Sequence, residues 1–443
     1  MEAGRFEVRS LGRKSLPAIA RALHSAPGLT VLTGRFEHEC GASFVGAFPD
    51  AHSSAVVPPL EPREGAFGWN GHAPAPAWVG HVPYEALRAI ERLGVDRRAE
   101  SALSHPYWNR YPAMIRIDAR SGHASIEGTE AAVARLASAL DRGSAQSERT
   151  FTFTPCSDHD GERSHLGAIR AALALIAQGD AYQVNLARQL RFAFAGDPLE
   201  AFLALCKMSP SEYHLFSSVD EHVISAHSPE LALARLHDRV LTRPMKGTRP
   251  RGQNAGEDEA ARRELERDPK ELAELTMAVD LHRNDLGRIA VPGTVRLRGA
   301  FGAFSAQRSP TVWSRYAEVV ATLKEGASLD DLFAAVLPCG SVTGAPKVRA
   351  MQIIASLEPH RRGLYTGAYG ALSSDGSRVA LAVAIRTLVI TGGSATYGSG
   401  GGIVADSLPQ RELEETYWKA QAIQNLASPQ KPRYRMDTVG GEA

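Results

Sequence analysis

Cysteine is scarce in this chain of 443 residues. There are four, and no two of them stand close together: Cys40, Cys156, Cys206 and Cys339. Such scattered positions argue against a disulfide framework and against a thiolate zinc site, because both use closely spaced cysteines. We therefore expect a reducing, cytoplasmic compartment.

The chain also lacks an excess of one charge and a long apolar run. With 50 basic and 49 acidic residues its formal charge is +1, so no global field attracts nucleic acid or a membrane surface. No apolar run approaches the ~20 residues of a membrane span, and none follows the charged start at Met1–Arg5. We expect a protein that is neither secreted nor embedded in a membrane, with small molecules or proteins as partners.

The first part of the chain is predicted to span residues 1–145. Residues 1 to about 125 alternate short apolar runs with turn residues, which is typical of strands joined by loops. This part ends in a helix expected over 130–140, with Thr129 placed to cap it. The polar stretch 141–148 indicates a linker. We therefore predict a boundary there.

In the second part, 160–430, helical patterns alternate with runs rich in Val, Ile and Leu. Amphipathic helices are expected at 165–177 and 328–336, and a strand pattern at 379–390. Regular crossover helices do not separate the strands. The pattern therefore favours an α+β fold with large antiparallel sheets over a doubly wound parallel sheet.

Lys246 stands between Pro244 and Gly247 inside a cationic run. Pro244 fixes one backbone angle and Gly247 permits conformations closed to other residues, so the lysine can be held in an unusual backbone shape. Three arginines flank it: Arg243, Arg249 and Arg251. Their charges would favour the neutral amine that a nucleophile requires. The alternative is a solvated basic loop.

Two pairs of glutamates suggest a divalent cation. Each pair is spaced by three residues in an apparent helix, which puts both side chains on one face: Glu271 with Glu274, and Glu412 with Glu415. Oxygen ligands without histidine or thiol suit Mg²⁺ and not zinc. The alternative is two pairs of exposed partners for lysine or arginine.

Two glycine-rich segments could contact anions. The segment 398–404 could turn tightly and present backbone N–H groups to a carboxylate. The segment 338–347 carries hydroxyls, two glycines and a lysine before an expected helix, where a cap is the alternative use. Arg386 interrupts an apolar strand pattern, and a buried arginine needs a partner such as a ligand carboxylate.

Six ordered motifs between about residue 164 and residue 428 resemble the chorismate-utilising enzymes. Besides the lysine loop around Lys246, they are Gly179–Leu186, Ser228–Glu230, Asp280–Arg288, Gly340–Lys347 and Gly401–Ser407. That family comprises anthranilate synthase component I, aminodeoxychorismate synthase component I, isochorismate synthase and salicylate synthase. The resemblance implies antiparallel sheets that form a sandwich with helices packed outside, a chorismate-binding catalytic domain over 160–430 and an accessory region over 1–145.

Two positions distinguish the members of this family. Gln183 stands where the isochorismate and salicylate enzymes carry a water-activating lysine, which favours ammonia as the nucleophile. Lys246 matches the aminodeoxychorismate synthases, whereas anthranilate synthases carry alanine. The resemblance therefore implies that Lys246 attacks C2 of chorismate and displaces the C4 hydroxyl, with Glu230 as the general acid. Ammonia then attacks C4 and releases the lysine, in the folate pathway to para-aminobenzoate.

The resemblance also assigns ligands. It implies Mg²⁺ on Glu274 and Glu415, supported by Glu271 and Glu412. The positions that match contacts to the substrate carboxylates are Thr343, Tyr365, Arg386, Gly401, Gly402 and Lys419. Ammonia is expected from a separate glutamine amidotransferase, because no cysteine has a glutaminase-like setting. The alternatives are an anthranilate synthase component I and a non-catalytic chorismate-binding subunit.

The chain departs from the family pattern at two places. Ser314 stands where ammonia-using members usually carry a histidine, which weakens the anthranilate alternative and motivates the non-catalytic one. Residues 33–35 replace the Leu-Glu-Ser element of an effector pocket. Feedback control by tryptophan is therefore not expected.

Overall fold

The structure is a computed structural model. It describes residues 6–36, 41–61, 77–91, 103–143, 149–208, 211–298, 305–308 and 312–427, together with residues 93, 96, 98 and 101. Of the linker predicted over 141–148, residues 141 and 142 belong instead to a helix, and residues 144–148 lie outside the described residues.

The strands are short except for the long β10 and β24. In chain order they are β1 Phe6–Arg13, β2 Thr30–Gly34, β3 Ala42–Gly46, β4 Ala51–Ser53, β5 Trp78–Val82, β6 Tyr107–Arg110, β7 Ala113–Asp118, β8 His123–Thr129, β9 Phe151–Pro155, β10 Gln183–Gly196, β11 Tyr213–Val219 and β12 His222–Ser228. They continue with β13 Leu231–Leu236, β14 Arg239–Arg243, β15 Met245–Pro250, β16 Arg296–Leu297, β17 Ser305–Arg308, β18 Val312–Tyr316, β19 Val319–Thr322, β20 Gly344–Ala345, β21 Ala368–Leu372, β22 Arg378–Val383, β23 Thr387–Thr391 and β24 Ser394–Ile403.

Helices fall between these strands. They are α1 Leu16–Ala22, α2 Tyr84–Ile90, α3 Glu130–Arg142, α4 His159–Ala177, α5 Pro198–Met208, α6 Ala255–Arg267, α7 Pro269–Gly287, α8 Leu329–Val336, α9 Gly340–Thr343, α10 Lys347–Leu357, α11 Pro409–Lys419 and α12 Gln421–Ala427. None of these described helices combines the length and the apolar character that a membrane span needs.

Antiparallel pairing builds two large sheets and one small one. The first runs β1-β8-β7-β3-β2-β11-β12-β23-β24-β10-β20, with β9 also paired to β10, and the second runs β16-β19-β14-β13-β22-β21-β5-β6-β4. The small sheet has the order β15-β18-β17. The α+β fold with large antiparallel sheets is therefore confirmed. Strands from residues 1–145 pair within both large sheets, and the domain division stays a prediction.

The two large sheets pack face to face. Leu215 and Ile224 of the first sheet belong to the same buried hydrophobic cluster as Leu231 and Tyr369 of the second sheet. A second cluster buries α7 and α8 against the second sheet, through residues such as Leu275. Helices thus cover the sandwich, as the family resemblance implied.

Several predicted elements appear with small shifts. α3 confirms the helix over 130–140, but the Thr129 side chain makes no capping hydrogen bond. α8 begins with a capping box between Ser328 and Asp331. The run 379–390 was predicted as one strand and is instead two, β22 and β23, with a bend between them.

Candidate active site

The end of β24 and the start of β10 form one wall of the candidate site. Gly402 of β24 pairs with Asn185 of β10. A methyl group on Gly402 would lie 2.7 Å from Nε2 of Gln183 and 3.5 Å from Nζ of Lys246. The absence of a side chain therefore lets both groups approach the strand closely. The interpretation of 398–404 as a tight turn was wrong, because this segment is extended up to residue 403.

Lys246 lies on β15, which belongs to the small sheet, and its side chain is half-buried. Its charge acts on the carboxyl groups of both Glu230 and Glu415. Gly247 has a φ of +76°, and a methyl group there would lie 2.7 Å from Oε2 of Glu271. The predicted need for glycine after the lysine is therefore confirmed.

The arginines around Lys246 are paired with carboxylates. Ion pairs join Arg243 to Glu318 at 2.6 Å, Arg249 to Asp268 at 2.7 Å and Arg251 to Asp258 at 2.5 Å. Their charges are therefore balanced locally and are not directed at Lys246. This corrects the sequence argument that they favour a neutral amine. The groups that face the lysine are the carboxylates described above.

Glu230 lies between β12 and β13 and is 4% exposed. Its Oε1 accepts a hydrogen bond of 2.6 Å from the Ser341 hydroxyl. Burial raises the pKa of Glu230 to about 7, while this hydrogen bond and the charge of Lys246 act in the opposite direction. A carboxyl group with a pKa near neutrality can hold a proton and release it, which is what a general acid requires.

The glutamate cluster comprises Glu271, Glu274, Glu412 and Glu415. Asp268 caps α7 by accepting hydrogen bonds from two backbone N–H groups, with Pro269 at the first turn, and so places the first pair. Pro409 opens α11, which carries the second pair. A methyl group on Gly401 would lie 3.2 Å from Oε2 of Glu412. The cluster therefore adjoins both the glycine-rich strand and the loop of Lys246.

The donor set of the glutamate cluster fits a hard divalent cation. Burial is the main cause that raises the pKa of Glu271 and of Glu412, and in each case the neighbouring glutamate of the pair raises it further. Such repulsion is relieved by a cation between the carboxylates. In the described part of the chain, no three of these carboxylates approach within 4.8 Å of one another. Shared ligation therefore requires side-chain rotation.

Two lysines lie beside the glutamate cluster. Nζ of Lys419 lies 2.6 Å from Oε1 of Glu415 and donates to the carbonyl of Gly400 at 2.7 Å. Nζ of Lys270 lies 3.9 Å from Oε1 of Glu274. Burial would raise the pKa of Glu415, but the Lys419 ammonium lowers it below its usual value. The predicted substrate contact Lys419 is thus joined to the predicted metal ligands.

Thr343 and Tyr365, the predicted contacts to the substrate carboxylates, differ in how the fold holds their side chains. Thr343 is fully buried, and its hydroxyl donates to the carbonyl of Cys339 at 3.0 Å. It can donate to a ligand only by giving up that bond. Tyr365 packs directly against Gly398, and burial raises the pKa of its phenol. The phenol therefore stays protonated at neutral pH and can donate a hydrogen bond.

Arg386 was expected inside a strand and lies instead at the bend between β22 and β23. Its φ is +50°, a conformation that is uncommon for residues other than glycine. Its carbonyl accepts a hydrogen bond of 3.1 Å from the backbone N–H of His227. The bend takes Arg386 out of the regular strand ladder, and its side chain is half-buried.

Sequence reasoning missed the role of Ser341 and misread Lys347. Ser341 lies in the motif Gly340–Lys347, and its contact with Glu230 is not apparent from the sequence. Lys347 was a candidate anion contact, and its Nζ lies 2.7 Å from Oδ2 of Asp285 with both side chains buried. This lysine therefore joins α10 to α7, and its ammonium group is already paired with a carboxylate of the protein.

Ser314 is buried in β18 and pairs with Thr248, two residues beyond Lys246. The position at which a histidine was expected thus lies on the strand next to the lysine. A separate cavity of about 280 Å³ adjoins Tyr365 and Gly398. Its lining includes neither Lys246 nor Glu230 nor the glutamate cluster, so it is a neighbour of the candidate site.

Comparison with known proteins identifies a family. A family model described as chorismate binding enzyme matches residues 38–425. The chain is 43% identical to anthranilate synthase component 1 of Thermus thermophilus over 59% of this chain and 55% of that protein. It is 35% identical to aminodeoxychorismate synthase component 1 of Klebsiella aerogenes over 78% of this chain and 76% of that protein.

A solved structure also resembles the fold. Anthranilate synthase component I from Streptococcus pneumoniae superposes with a TM-score of 0.68 at 25% sequence identity, covering 95% of this chain and 92% of that one. The relatives thus carry two different activities in their names.

Proposed function

The chain belongs to the chorismate-binding enzymes, and from that premise we propose that it aminates chorismate at C4 to give 4-amino-4-deoxychorismate. The observation that carries the proposal is the position of Lys246. Its Nζ lies against Gly402, and its charge acts on the buried Glu230. Direct attack of ammonia on the substrate needs no nucleophilic side chain, whereas the proposed C4 amination does. A lysine at this place supplies that nucleophile.

In the proposed first step, Lys246 reacts as the neutral amine and its Nζ lone pair attacks C2 of chorismate. Both ring double bonds shift, the C4–O bond breaks, and the hydroxyl leaves as water with the proton of Glu230. Ammonia then attacks C4, both double bonds shift back and the C–N bond to Lys246 breaks. The new C4 ammonium group returns one proton to Glu230, so the two substitutions place nitrogen on C4 and restore both the lysine and the acid.

Glu230 suits the acid in this step because its pKa is about 7. At neutral pH a substantial fraction of the side chain carries the proton that the departing hydroxyl needs. The Ser341 hydroxyl holds the carboxyl group at 2.6 Å and stabilises the carboxylate left after transfer. This hydrogen bond therefore stabilises the side chain of Glu230 after it has given up its proton.

We propose Mg²⁺ as the cofactor, held by Glu274 and Glu415 with Glu271 and Glu412 in support. When bound, Mg²⁺ would screen the charge of the substrate ring carboxylate. Lys419, which lies beside the glutamate cluster, is proposed as a further contact to the substrate. The amides of Gly401 and Gly402, with Arg386, Tyr365 and Thr343, are proposed to grip the substrate carboxylates.

The partner in this proposal is a separate glutamine amidotransferase that supplies ammonia, and the compartment is the cytoplasm. The second candidate is anthranilate synthase component I, which the 43% identity to the Thermus protein favours. A third, a non-catalytic chorismate-binding subunit, is motivated by the buried Ser314.

One assay separates these three functions. Purified protein receives chorismate, ammonium and Mg²⁺, and the product is identified by chromatography and mass spectrometry. The proposal predicts 4-amino-4-deoxychorismate and no release of pyruvate. Anthranilate with pyruvate would establish the second candidate. Stabilisation by chorismate without turnover, under ammonium or an added amidotransferase, would establish the third.

A further inference from the structure

One cysteine and two histidines converge away from the candidate active site. Sγ of Cys206 lies 3.9 Å from Nδ1 of His227, and Nδ1 of His214 lies 2.9 Å from the same Nδ1. One ligand atom from each residue lies within 4.8 Å of the other two. The two histidines are buried, and Cys206 is partly buried.

Three separate elements bring this group together. His214 of β11 and His227 of β12 are direct partners across the antiparallel ladder, and Cys206 lies near the end of α5. The spacing of the cysteines argued against a thiolate zinc site, because no two of them stand close together in the sequence. That argument concerns cysteine pairs, and here a single thiol joins two histidines from a hairpin.

Hydrogen bonds define the proton positions in the group. Nε2 of His214 accepts from the backbone N–H of Ser211 at 3.2 Å, so the proton of this neutral ring is on Nδ1. That Nδ1–H donates to Nδ1 of His227, which leaves Nε2–H of His227 to face the Ser225 hydroxyl at 2.9 Å. This hydrogen-bond pattern describes two neutral rings, which is the form in which imidazole binds a metal.

We propose that Cys206, His214 and His227 form a site for a thiophilic transition-metal ion of the Zn²⁺ class. Zinc bonds of about 2.3 Å to sulfur and 2.0–2.1 Å to nitrogen in a tetrahedron give ligand separations of roughly 3.3–3.6 Å. The two nitrogens lie 2.9 Å apart, which is shorter than this range, and the sulfur lies 3.9 Å from Nδ1 of His227, which is longer. Ligation therefore requires a small adjustment of the three side chains. Three protein ligands leave a fourth position for water or a small ligand.

Binding of the metal ion requires two protons to move. The thiol of Cys206 loses its proton to solvent, because the thiolate is the ligand. The proton on Nδ1 of His214 moves to Nε2 by tautomerisation, which frees Nδ1 for the ion and breaks the bond from Ser211. No oxidant or reductant is needed.

The proposed site is distinct from the glutamate cluster in both place and chemistry. The glutamate cluster offers oxygen atoms, which suit Mg²⁺, whereas a thiolate with two imidazoles selects softer ions. The strand that carries His227 nevertheless continues to the active site. The backbone N–H of His227 donates a hydrogen bond to the carbonyl of Arg386. Glu230 lies three residues after His227 in the sequence.

Cobalt spectroscopy tests the site in the full-length protein. Apo-protein is titrated with Co²⁺ in excess Mg²⁺, and a sulfur-to-cobalt charge-transfer band that saturates at one equivalent and is displaced by Zn²⁺ is expected. The oxygen-only glutamate cluster cannot give that band. Replacement Cys206→Ser should abolish it and weaken binding by more than about 100-fold, because even outer-shell changes cost 10–100-fold.

The exposed thiol of Cys156 provides the matched control. Cys156→Ser should retain the band and the affinity. A band that survives in Cys206→Ser, or that disappears in Cys156→Ser, would overturn the assignment. A second measurement needs no variant: X-ray absorption of the Zn²⁺-loaded protein should show one sulfur and two imidazole nitrogens. A shell of oxygen atoms alone would also overturn it.

Discussion

The Ser341 hydroxyl donates a hydrogen bond of 2.6 Å to Oε1 of Glu230, and both side chains are buried. The serine lies on α9 and the glutamate between β12 and β13, so the contact joins two motifs that are 111 residues apart. It acts against the burial that raises the pKa of this carboxyl group. The bond therefore tunes the group that we propose as the acid.

Replacement Ser341→Ala should move the pH profile to higher pH. The lost hydrogen bond had stabilised the carboxylate, so the pKa of Glu230 rises above its present value of about 7. Activity that needs the protonated acid falls as pH rises through this pKa, and the variant should keep its activity to a higher pH. The measurement is kcat against pH for both proteins. A descending limb that stays in place would contradict the role of Glu230.

Replacement Gly402→Ala should abolish activity without unfolding the protein. The new methyl group would lie 2.7 Å from Nε2 of Gln183, and this buried side-chain end must shift to make room, which distorts the site. Gly167→Ala is the matched control, because it meets nothing within 4 Å on α4 and should stabilise that helix by up to about 1 kcal/mol. Thermal unfolding and turnover are measured for both. Full activity in Gly402→Ala would contradict the placement of the site.

Replacement of glutamates by glutamine should raise the Mg²⁺ requirement. Glu274→Gln and Glu415→Gln each remove one charged ligand, and the Mg²⁺ concentration for half-maximal activity should rise about 10-fold or more. Glu414→Gln changes the neighbouring residue on α11, outside the proposed ligand set, and should leave the requirement unchanged. Titration of activity with Mg²⁺ measures the effect. Equal requirements in all three variants would argue against the glutamate cluster as the ligand set.

The ion pair between Lys347 and Asp285 should contribute to folding and not to chemistry. Asp285→Ala leaves a buried ammonium without a partner, which costs about 3–5 kcal/mol. The double variant Asp285→Leu with Lys347→Met should recover most of the free energy of unfolding, because it removes both charges. Denaturant unfolding measures the free energy, and turnover is measured in parallel. A double variant as unstable as the single one would contradict this account.

Local patterns in the sequence predicted the two helices that carry the glutamate pairs. The spacing of three residues within a helix puts Glu271 and Glu274 on one face, and the same spacing places Glu412 and Glu415. Pro269 and Pro409 mark where the two helices begin. Such features depend on neighbouring residues, so sequence alone is sufficient to predict them.

Contacts between distant segments could not be predicted in the same way. The charges of Arg243, Arg249 and Arg251 were interpreted from their neighbours, but carboxylates elsewhere in the chain neutralise them. The bend at Arg386 was missed because a single charge interrupts the apolar run there, and neither glycine nor proline marks a turn. The Cys206 group depends on which residues face each other across β11 and β12, and the register of two strands is set by the whole sheet.

The central claim is a covalent bond between Lys246 and the substrate. Chorismate and Mg²⁺ are mixed with the protein without ammonia, the reaction is quenched, and the protein and its peptides are weighed by mass spectrometry. We predict an adduct with the mass of chorismate less one water on the peptide that contains Lys246, and none in Lys246→Arg, which keeps the charge but is a poor nucleophile. C4 amination that continues undiminished in Lys246→Arg, with no adduct in the unmodified protein, would contradict the claim.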